Sequence, residues 1–538
     1  MNSLADRTDQ LFSEWDKPNS PGCALAVIQD GEIVHKRGYG MADLERDVSL
    51  SPHSVFDLGS TSKQFVAMCI LLLAEQGKLS LDDDIRCYIP EMPDYGELVT
   101  LRHLVHHTSG IRDYLELMTL CGIRLDNDYY EGEIIALLAR QKELNFRPGE
   151  EYLYSNSGYF LLGEIIKRVA GQSLNDFACE QIFQPLGMGH TRFYDDFTLI
   201  VPSRAIGYAP REGGGYGIEL YHSDLVGDGG LLTSVEDLFL WDQNFYENKL
   251  GGGGPELIDR MLTRGTLNDG KELSYAFGLE IGHYRELPIV RHGGSWAGYR
   301  SELIRFPEQR FSVICLSNLS TFNPTALAKQ VADLYLEGQF REEPSRPVEQ
   351  LPLALSPADL RDRMGDFINP KTGTVLSLSL KDGKLTVSHP SGLVFEIVPI
   401  GENRFRSVDA PVDLAFAFEE PSPGKAMRLQ VRVEDEDPVT FHAIERISLE
   451  ANELQEYAGE YYSDELGVIY RFLLRDGMLV LKLGYDPEEP PLQPTVGDEF
   501  SVKDRNLQFV RDARGRISGF NARSGRVKNV WFARRRPE

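Results

Sequence analysis

The chain has 538 residues, longer than one ordinary domain, so about two to four domains are expected. Its 82 acidic residues outnumber its 56 basic ones and give a formal net charge of −26. This balance argues against nucleic acid or an anionic membrane as a partner. It tolerates cationic substrates, and it is equally compatible with a salt-rich habitat.

Cysteine usage and the N-terminal sequence predict a cytoplasmic protein. Residues 1–7 form neither a basic nor an apolar leader, and no later apolar run approaches the length needed to cross a bilayer. The cysteines are scattered without Cys-x-x-Cys spacing, which predicts free thiols in a reducing compartment and no metal site. They are Cys23, Cys69, Cys87, Cys121, Cys179 and Cys315.

The first 340 residues mix helical and strand-like periodicity. In chain order the predicted elements are an amphipathic helix over 1–20, a hairpin over 23–38 around Asp30-Gly31, a buried helix after Lys63, a short helix ending at Gly110, a helix over 160–170 that stops at Gly171, and strands between 287 and 318. Residues 341–357 are rich in proline and glutamate, which predicts a linker.

An internal repeat follows this linker. Leu360 and Gly365 recur as Leu454 and Gly459 at one constant offset. Each copy combines a short helical opening with strands joined by Asp-Gly turns, which is typical of small antiparallel β-barrels. The predicted organisation is an N-terminal domain over 1–340, the linker over 341–357, and two β modules over 358–448 and 449–538.

One stretch of the N-terminal domain carries a chemical signal. Ser60 and Lys63 form a Ser-x-x-Lys pair just before the apolar run that predicts a buried helix. Positions i and i+3 of a helix share a face, so Lys63 Nζ can lie beside Ser60 Oγ. A serine hydroxyl needs a base to become a good nucleophile, and a buried lysine can be that base. The alternative is an N-capping serine beside an exposed lysine; a second copy of the pattern, at 422–425, lies in a Pro/Gly turn and predicts only a loop.

Two further motifs follow Ser60-x-x-Lys63 in order, namely Tyr154-Ser155-Asn156 and His292-Gly293-Gly294. With these three motifs, residues 15–335 resemble the serine β-lactamases and penicillin-binding proteins, within the branch of the class C β-lactamases and the three-domain D-aminopeptidases. The resemblance implies an α+β catalytic domain, with an antiparallel sheet flanked by helices, followed by two antiparallel β-barrel domains. It also implies a homodimer and no cofactor.

The resemblance implies a role for each motif residue. Ser60 attacks a carbonyl to form an acyl-enzyme, while Lys63 and Tyr154 move protons. Asn156 hydrogen-bonds both Lys63 and the substrate amide. The backbone N–H groups of Ser60 and Ser295 form the oxyanion hole.

The third motif departs from the usual Lys-Thr-Gly of the family, because His292 replaces the lysine. Gly294 lets a substrate backbone lie against the strand edge. Loss of a fixed cation puts recognition of β-lactams and peptide carboxylates in doubt. A literal Lys371-Thr372-Gly373 lies inside the first β module and is not the counterpart. The histidines near the Gly110 turn lack a carboxylate partner, which favours a structural role over a metal site.

The resemblance implies that the substrate is a small peptide or amide with a free N-terminal D-amino acid, which an aminopeptidase or amidase would release. Glu280 and Asp486 are the candidate carboxylates for its ammonium, although Asp486 and Glu488 are equally typical of a solvated turn. One alternative is a β-lactamase-like esterase or a DD-peptidase of the penicillin-binding type. Another is a non-catalytic binding or sensor protein, which the three intact motifs disfavour.

Overall fold

The computed structural model describes residues 3–126, 129–221, 223–340, 355–390, 393–408, 414–419, 426–433, 438–484 and 488–535. Its contacts divide the chain into two compact units. The first comprises Met1–Ile111, Leu125–Ala139 and Phe146–Glu343; the second comprises Arg112–Arg124, Arg140–Asn145 and Pro344–Glu538. Each unit is described separately.

The chain up to residue 340 contains both helices and short strands. The helices are α1 (Leu4–Phe12), α2 (Lys63–Glu75), α3 (Leu101–Val105), α4 (Tyr114–Leu120), α5 (Glu131–Ala139), α6 (Asn156–Ala170), α7 (Leu174–Ala178), α8 (Gln184–Leu186), α9 (Val235–Asn244), α10 (Glu256–Met261) and α11 (Pro324–Tyr335). The strands are β1 (Cys23–Gln29), β2 (Glu32–Tyr39), β3 (Met41–Asp43), β4 (Val48–Ser49), β5 (Phe56–Asp57), β6 (Arg192–Phe193), β7 (Tyr208–Pro210), β8 (Tyr216–Ile218), β9 (Leu231–Thr233), β10 (Glu280–Tyr284), β11 (Leu287–Trp296), β12 (Tyr299–Phe306) and β13 (Phe311–Ser317). Among the described residues, no helix is both long and apolar enough to cross a membrane.

A six-stranded antiparallel sheet organises the first unit, in the order β10-β11-β12-β13-β1-β2. Alternate residues of β1 point to opposite faces, and both faces are covered by helices. On one face, Leu25 and Val27 join Phe12 of α1 and Val331 of α11 in a hydrophobic core. On the other face, α9 contacts β1 and β13. The predicted α+β architecture with a helix-flanked antiparallel sheet is confirmed.

Of two local predictions in this unit, the hairpin is confirmed and the length of the N-terminal helix is not. The β1–β2 hairpin is confirmed, and Asp30 and Gly31 adopt the positive φ angles of 52° and 85° that a tight two-residue turn requires. The N-terminal helix is shorter than predicted, because α1 ends at Phe12. Trp15 lies beyond its end and packs instead against Phe322, with 4.7 Å between ring centroids.

The second unit contains two antiparallel β modules. Its C-terminal elements are β14 (Gly365–Ile368), β15 (Val375–Lys381), β16 (Lys384–Ser388), β17 (Val394–Pro399), β18 (Arg404–Ser407), β19 (Leu414–Glu419), β20 (Arg428–Val433), β21 (Val439–Ile444), β22 (Gly459–Ser463), β23 (Val468–Arg475), β24 (Met478–Leu483), β25 (Gln493–Pro494), β26 (Glu499–Val502), β27 (Arg505–Arg511), β28 (Ile517–Ser524), β29 (Val527–Arg534), and the short helices α12 (Pro357–Arg361) and α13 (Ala451–Leu454). Strands β14–β21 close into a barrel. Strands β22–β29 form an eight-stranded sheet, and a bridge between Val480 and Pro491 brings its ends together. The two predicted β modules are therefore present, the first as a closed barrel and the second as an incompletely closed one.

Two segments from the N-terminal part of the sequence belong to this second unit. Arg112 forms a buried ion pair with Glu465, whose carboxylate also accepts a 2.9 Å hydrogen bond from the backbone N–H of Lys142. The Tyr470 hydroxyl donates to the backbone oxygen of Leu120 over 2.7 Å. These contacts group 112–124 and 140–145 with the C-terminal modules, although their sequence lies inside the predicted 1–340 domain. The predicted boundaries themselves stay a prediction, because 341–354 lie outside the described residues.

Candidate active site

Ser60 lies in a 3₁₀ turn, Gly59–Ser62, that leads directly into α2. Gly59 adopts a φ of +52°, in the left-handed region where glycine is favoured. A side chain at Gly59 would also meet the Ser295 nitrogen at 2.7 Å. The turn is anchored by the Gly59 N–H, which donates to Asp57 Oδ1 over 2.8 Å. Glycine is therefore required where the nucleophile turn approaches the sheet.

Lys63 is fully buried at the start of α2, where its ammonium contacts the candidate nucleophile. Its Nζ donates to Ser60 Oγ over 3.0 Å and to Asn156 Oδ1 over 2.9 Å. It also donates to the backbone oxygen of Asp228 over 2.6 Å. The amine thus lies within proton-transfer distance of the hydroxyl, with a side-chain amide and a carbonyl fixing its position.

Tyr154 completes this cluster at the entrance to α6. Lys63 Nζ lies 4.9 Å from the centroid of the Tyr154 ring. The Tyr154 ring also packs against His107, with 4.1 Å between the two ring centroids. His107 Nδ1 accepts a 3.1 Å hydrogen bond from the backbone N–H of Ser155, which immediately follows Tyr154. His107 is thus a buried support for the tyrosine, in line with the predicted structural role of this histidine.

His292 is buried on β11, and its two ring nitrogens have different partners. Nδ1 lies 2.6 Å from the Gly293 oxygen, which can only accept, so Nδ1 carries a proton. Nε2 lies 3.0 Å from the Tyr275 hydroxyl, which donates to it when the imidazole is neutral. Burial, and then the charge of Lys63, lower the pKa of His292 to about 3. At neutral pH His292 is therefore an uncharged imidazole, not a substitute for the lysine of the usual third motif.

Gly294 and Ser295 bring β11 against the nucleophile turn. A side chain at Gly294 would lie 1.8 Å from the Leu58 oxygen and 2.5 Å from Ser301 Oγ. Such distances leave no room for any residue larger than glycine. Ser295 then contacts Gly59 through its backbone, next to Ser60. The predicted oxyanion donors, the N–H groups of Ser60 and Ser295, thus belong to two chain segments in direct contact.

The structure gives Glu280 a different environment from the predicted one. Its carboxylate pairs with Arg291 at 2.8 Å, and Arg291 also pairs with Glu302 at 2.7 Å. Glu280 is opposite Arg291 in the β10–β11 register, so both side chains share the sheet face opposite to that of His292. On that face Arg291 also contacts Thr325 of α11 at 3.2 Å. This geometry speaks against Glu280 as the group that binds a substrate ammonium, and Asp486 lies outside the described residues.

Sequence reasoning singled out neither Asp228 nor Tyr275, and it did not connect His107, for which it predicted a structural role, with Tyr154. Asp228 contributes a backbone oxygen, which leaves no side-chain signature, although it precedes the Gly229-Gly230 pair. Tyr275 and His107 support His292 and Tyr154 from other segments. Only their proximity in the fold identifies them, because tyrosine and histidine also occur widely in ordinary cores.

A hydrogen-bonded Ser-Lys pair with a buried lysine, joined to Tyr154 and Asn156 beside a helix-flanked antiparallel sheet, defines a serine hydrolase. A model of one protein family agrees: the family described as Beta-lactamase matches residues 8–336, more than half of the chain. The chain belongs to the beta-lactamase family.

Relatives in this family include proteins with different names. The chain is 30% identical to penicillin-binding protein 4* of Bacillus subtilis (strain 168) over 428 residues, which cover 76% of this chain and 93% of that protein. It is 28% identical to the D-aminopeptidase of Brucella melitensis biotype 1 over 532 residues, which cover 96% of this chain and 94% of that protein. Among solved structures, it is similar to the octameric penicillin-binding protein homologue from Pyrococcus abyssi, with a TM-score of 0.57 and 24% identity, covering 81% of this chain and 99% of that one.

Proposed function

We propose that this serine hydrolase is an aminopeptidase or amidase that releases N-terminal D-amino acids from short peptides or amides. The observation that carries this choice is the extent of the likeness to the Brucella D-aminopeptidase, which spans 96% of the chain and includes both β modules. The hydrogen bond of Lys63 Nζ to Ser60 Oγ, 3.0 Å long, supports the acyl-enzyme chemistry on which this activity rests.

In the proposed mechanism Ser60 Oγ attacks the carbonyl carbon of the scissile amide. Its proton passes to the Lys63–Tyr154 pair, and the carbonyl oxygen becomes an oxyanion that the N–H groups of Ser60 and Ser295 stabilise. Collapse breaks the C–N bond, and the same proton is returned to the leaving amine. Water then attacks the ester carbonyl of Ser60 and transfers a proton to the same pair. Breaking of the bond to Ser60 Oγ releases the amino acid, and the pair returns that proton to Oγ to restore the hydroxyl.

The direct test compares hydrolysis of D-alanine amide, N-acetyl-D-alanine amide and L-alanine amide, with Ser60→Ala as the control. We expect cleavage of the first compound alone and no activity in the variant. Equal rates on D- and L-alanine amide would refute the stereochemical part. Equal rates on the free and acetylated amides would refute recognition of the ammonium while leaving the hydrolase assignment intact.

A second candidate is a β-lactamase-like esterase or DD-peptidase, favoured by the 30% identity to penicillin-binding protein 4*. The neutral imidazole of His292 disfavours it, because a substrate carboxylate would lack a fixed cation there. Rapid cleavage of nitrocefin or a short-chain ester, with inert D-alanine amide, would favour this candidate. Failure of a fluorophosphonate to label Ser60 would instead favour a non-catalytic sensor. The homodimer and the cytoplasmic location stay predictions.

A further inference from the structure

Two buried hydroxyl groups lie between the nucleophile turn and the sheet. Thr61 Oγ1 is 3.0 Å from the backbone oxygen of His292 and 2.9 Å from Ser301 Oγ. Ser301 Oγ in turn donates to the backbone oxygen of Leu58 over 2.7 Å. Both side chains are at most 1% exposed. The turn and the strands are therefore joined by a hydroxyl pair that is shielded from bulk solvent.

These contacts form a directed chain. The two hydroxyl groups have two protons for these three hydrogen-bond contacts, and the two carbonyl oxygens can only accept. Ser301 gives its proton to Leu58, so the proton between the two hydroxyls comes from Thr61, which shares it between Ser301 and the His292 oxygen. Removing either hydroxyl therefore leaves a buried carbonyl of this region with fewer donors.

The carbonyls in this chain flank the atoms that the proposed chemistry needs. Leu58 precedes the turn that carries Ser60, and His292 lies three residues before Ser295 on β11. Ser301 is opposite Gly294 in the β11–β12 register, so its hydroxyl reaches Leu58 over the space that Gly294 leaves open. The hydroxyl pair thus ties together the two segments that provide the oxyanion donors.

We propose that Thr61 and Ser301 are positioning residues that hold the N–H groups of Ser60 and Ser295 at the spacing required to bind a developing oxyanion. This inference rests on the acyl-enzyme chemistry of the proposed function but not on its D-amino-acid specificity. An oxyanion hole stabilises charge only when its donors are already in place, so its spacing affects the transition state more than the ground state. Binding of the uncleaved substrate depends far less on the spacing of these donors.

The test compares Ser301→Ala and Thr61→Val with Ser317→Ala. Ser317 is a matched control, because its hydroxyl is equally buried and donates to the Gly22 oxygen over 2.6 Å. Rates are measured on p-nitrophenyl acetate and on its thiono analogue, in which sulfur replaces the carbonyl oxygen. We expect Ser301→Ala and Thr61→Val to lower kcat on the oxygen ester by about 10- to 100-fold, with KM changed by less than about threefold.

The ratio of the rate on the oxygen ester to the rate on the thiono ester distinguishes a role of the two hydroxyls in positioning the oxyanion donors from a role in packing alone. A loosened hole discriminates less between oxygen and the larger sulfur, so this ratio falls in both variants and stays at the wild-type value in Ser317→Ala. Equal kcat losses in Ser301→Ala and Ser317→Ala, or an unchanged ratio, would overturn the proposal. Because the ester is a general substrate, an enzyme that cleaves it but not D-alanine amide would refute the aminopeptidase assignment and still test the hydroxyl pair.

Discussion

The two glycines of the His292-Gly293-Gly294 motif face different surroundings, which allows a sharp test. Alanine at Gly294 would place its Cβ 1.8 Å from the Leu58 oxygen, whereas Cβ atoms essentially never come closer than 3.0 Å to another heavy atom. The strand and the nucleophile turn must then separate by about 1.2 Å. A displacement of that size in a catalytic group typically lowers the rate by ~100-fold, or about 2.7 kcal/mol of transition-state stabilisation.

Alanine at Gly293 provides the matched control. Its Cβ would have its nearest neighbour, Glu302 Oε2, at 3.4 Å, which is an ordinary contact on the opposite face of the sheet. We therefore expect Gly293→Ala to stay within a few-fold of wild type, while Gly294→Ala loses ~100-fold in kcat. Steady-state kinetics on p-nitrophenyl acetate and a thermal melt of each variant provide the assay. A Gly294→Ala enzyme within tenfold of wild type, or equal losses in both variants, would refute the close-approach argument.

Other predictions concern buried charge and pH. Arg112→Ala should lower the free energy of unfolding in urea by about 3–5 kcal/mol, because it leaves the buried Glu465 unpaired; a loss below about 1 kcal/mol would contradict this. Tyr275→Phe removes the donor that favours neutral His292, so the pKa of His292, measured by NMR titration, should rise; an unchanged pKa would contradict this. Burial, and then Glu131, raise the pKa of Glu164 to about 8, so the folded state binds the extra proton and stability falls between about pH 4.5 and 8. Glu164→Gln should flatten that fall in melts, and an unchanged slope would exclude Glu164 as its source.

The motifs could be found in the sequence because their geometry is local. Ser60 and Lys63 lie in one helical turn, so spacing alone predicts their contact. Glu280 shows the limit: whether it shares a face with His292 depends on strand register and pleat, which sequence distance does not give. The Asp228 oxygen that binds Lys63 could not be predicted either, because every residue has a backbone carbonyl and only the fold shows which one lies beside Lys63.

The domain organisation, too, could be predicted only in part from the sequence. A constant repeat offset identified the two β modules, because each copy retains its own turns and apolar positions. The segments that join them from residues 112–124 and 140–145 have no matching signal in the sequence. Their assignment depends on contacts such as that of Arg112 with Glu465, which are 353 residues apart along the chain.

That separation has a consequence for biosynthesis. A ribosome that adds about 5–20 residues per second needs roughly 20–70 s to make the 353 residues between Arg112 and its partner Glu465. Throughout that interval, helix α4 and the buried guanidinium that precedes it have been translated without the surface they pack against. The nascent chain therefore carries an apolar segment and a charged side chain without their folded partners until its last module emerges, so this part of the fold can form only late in synthesis.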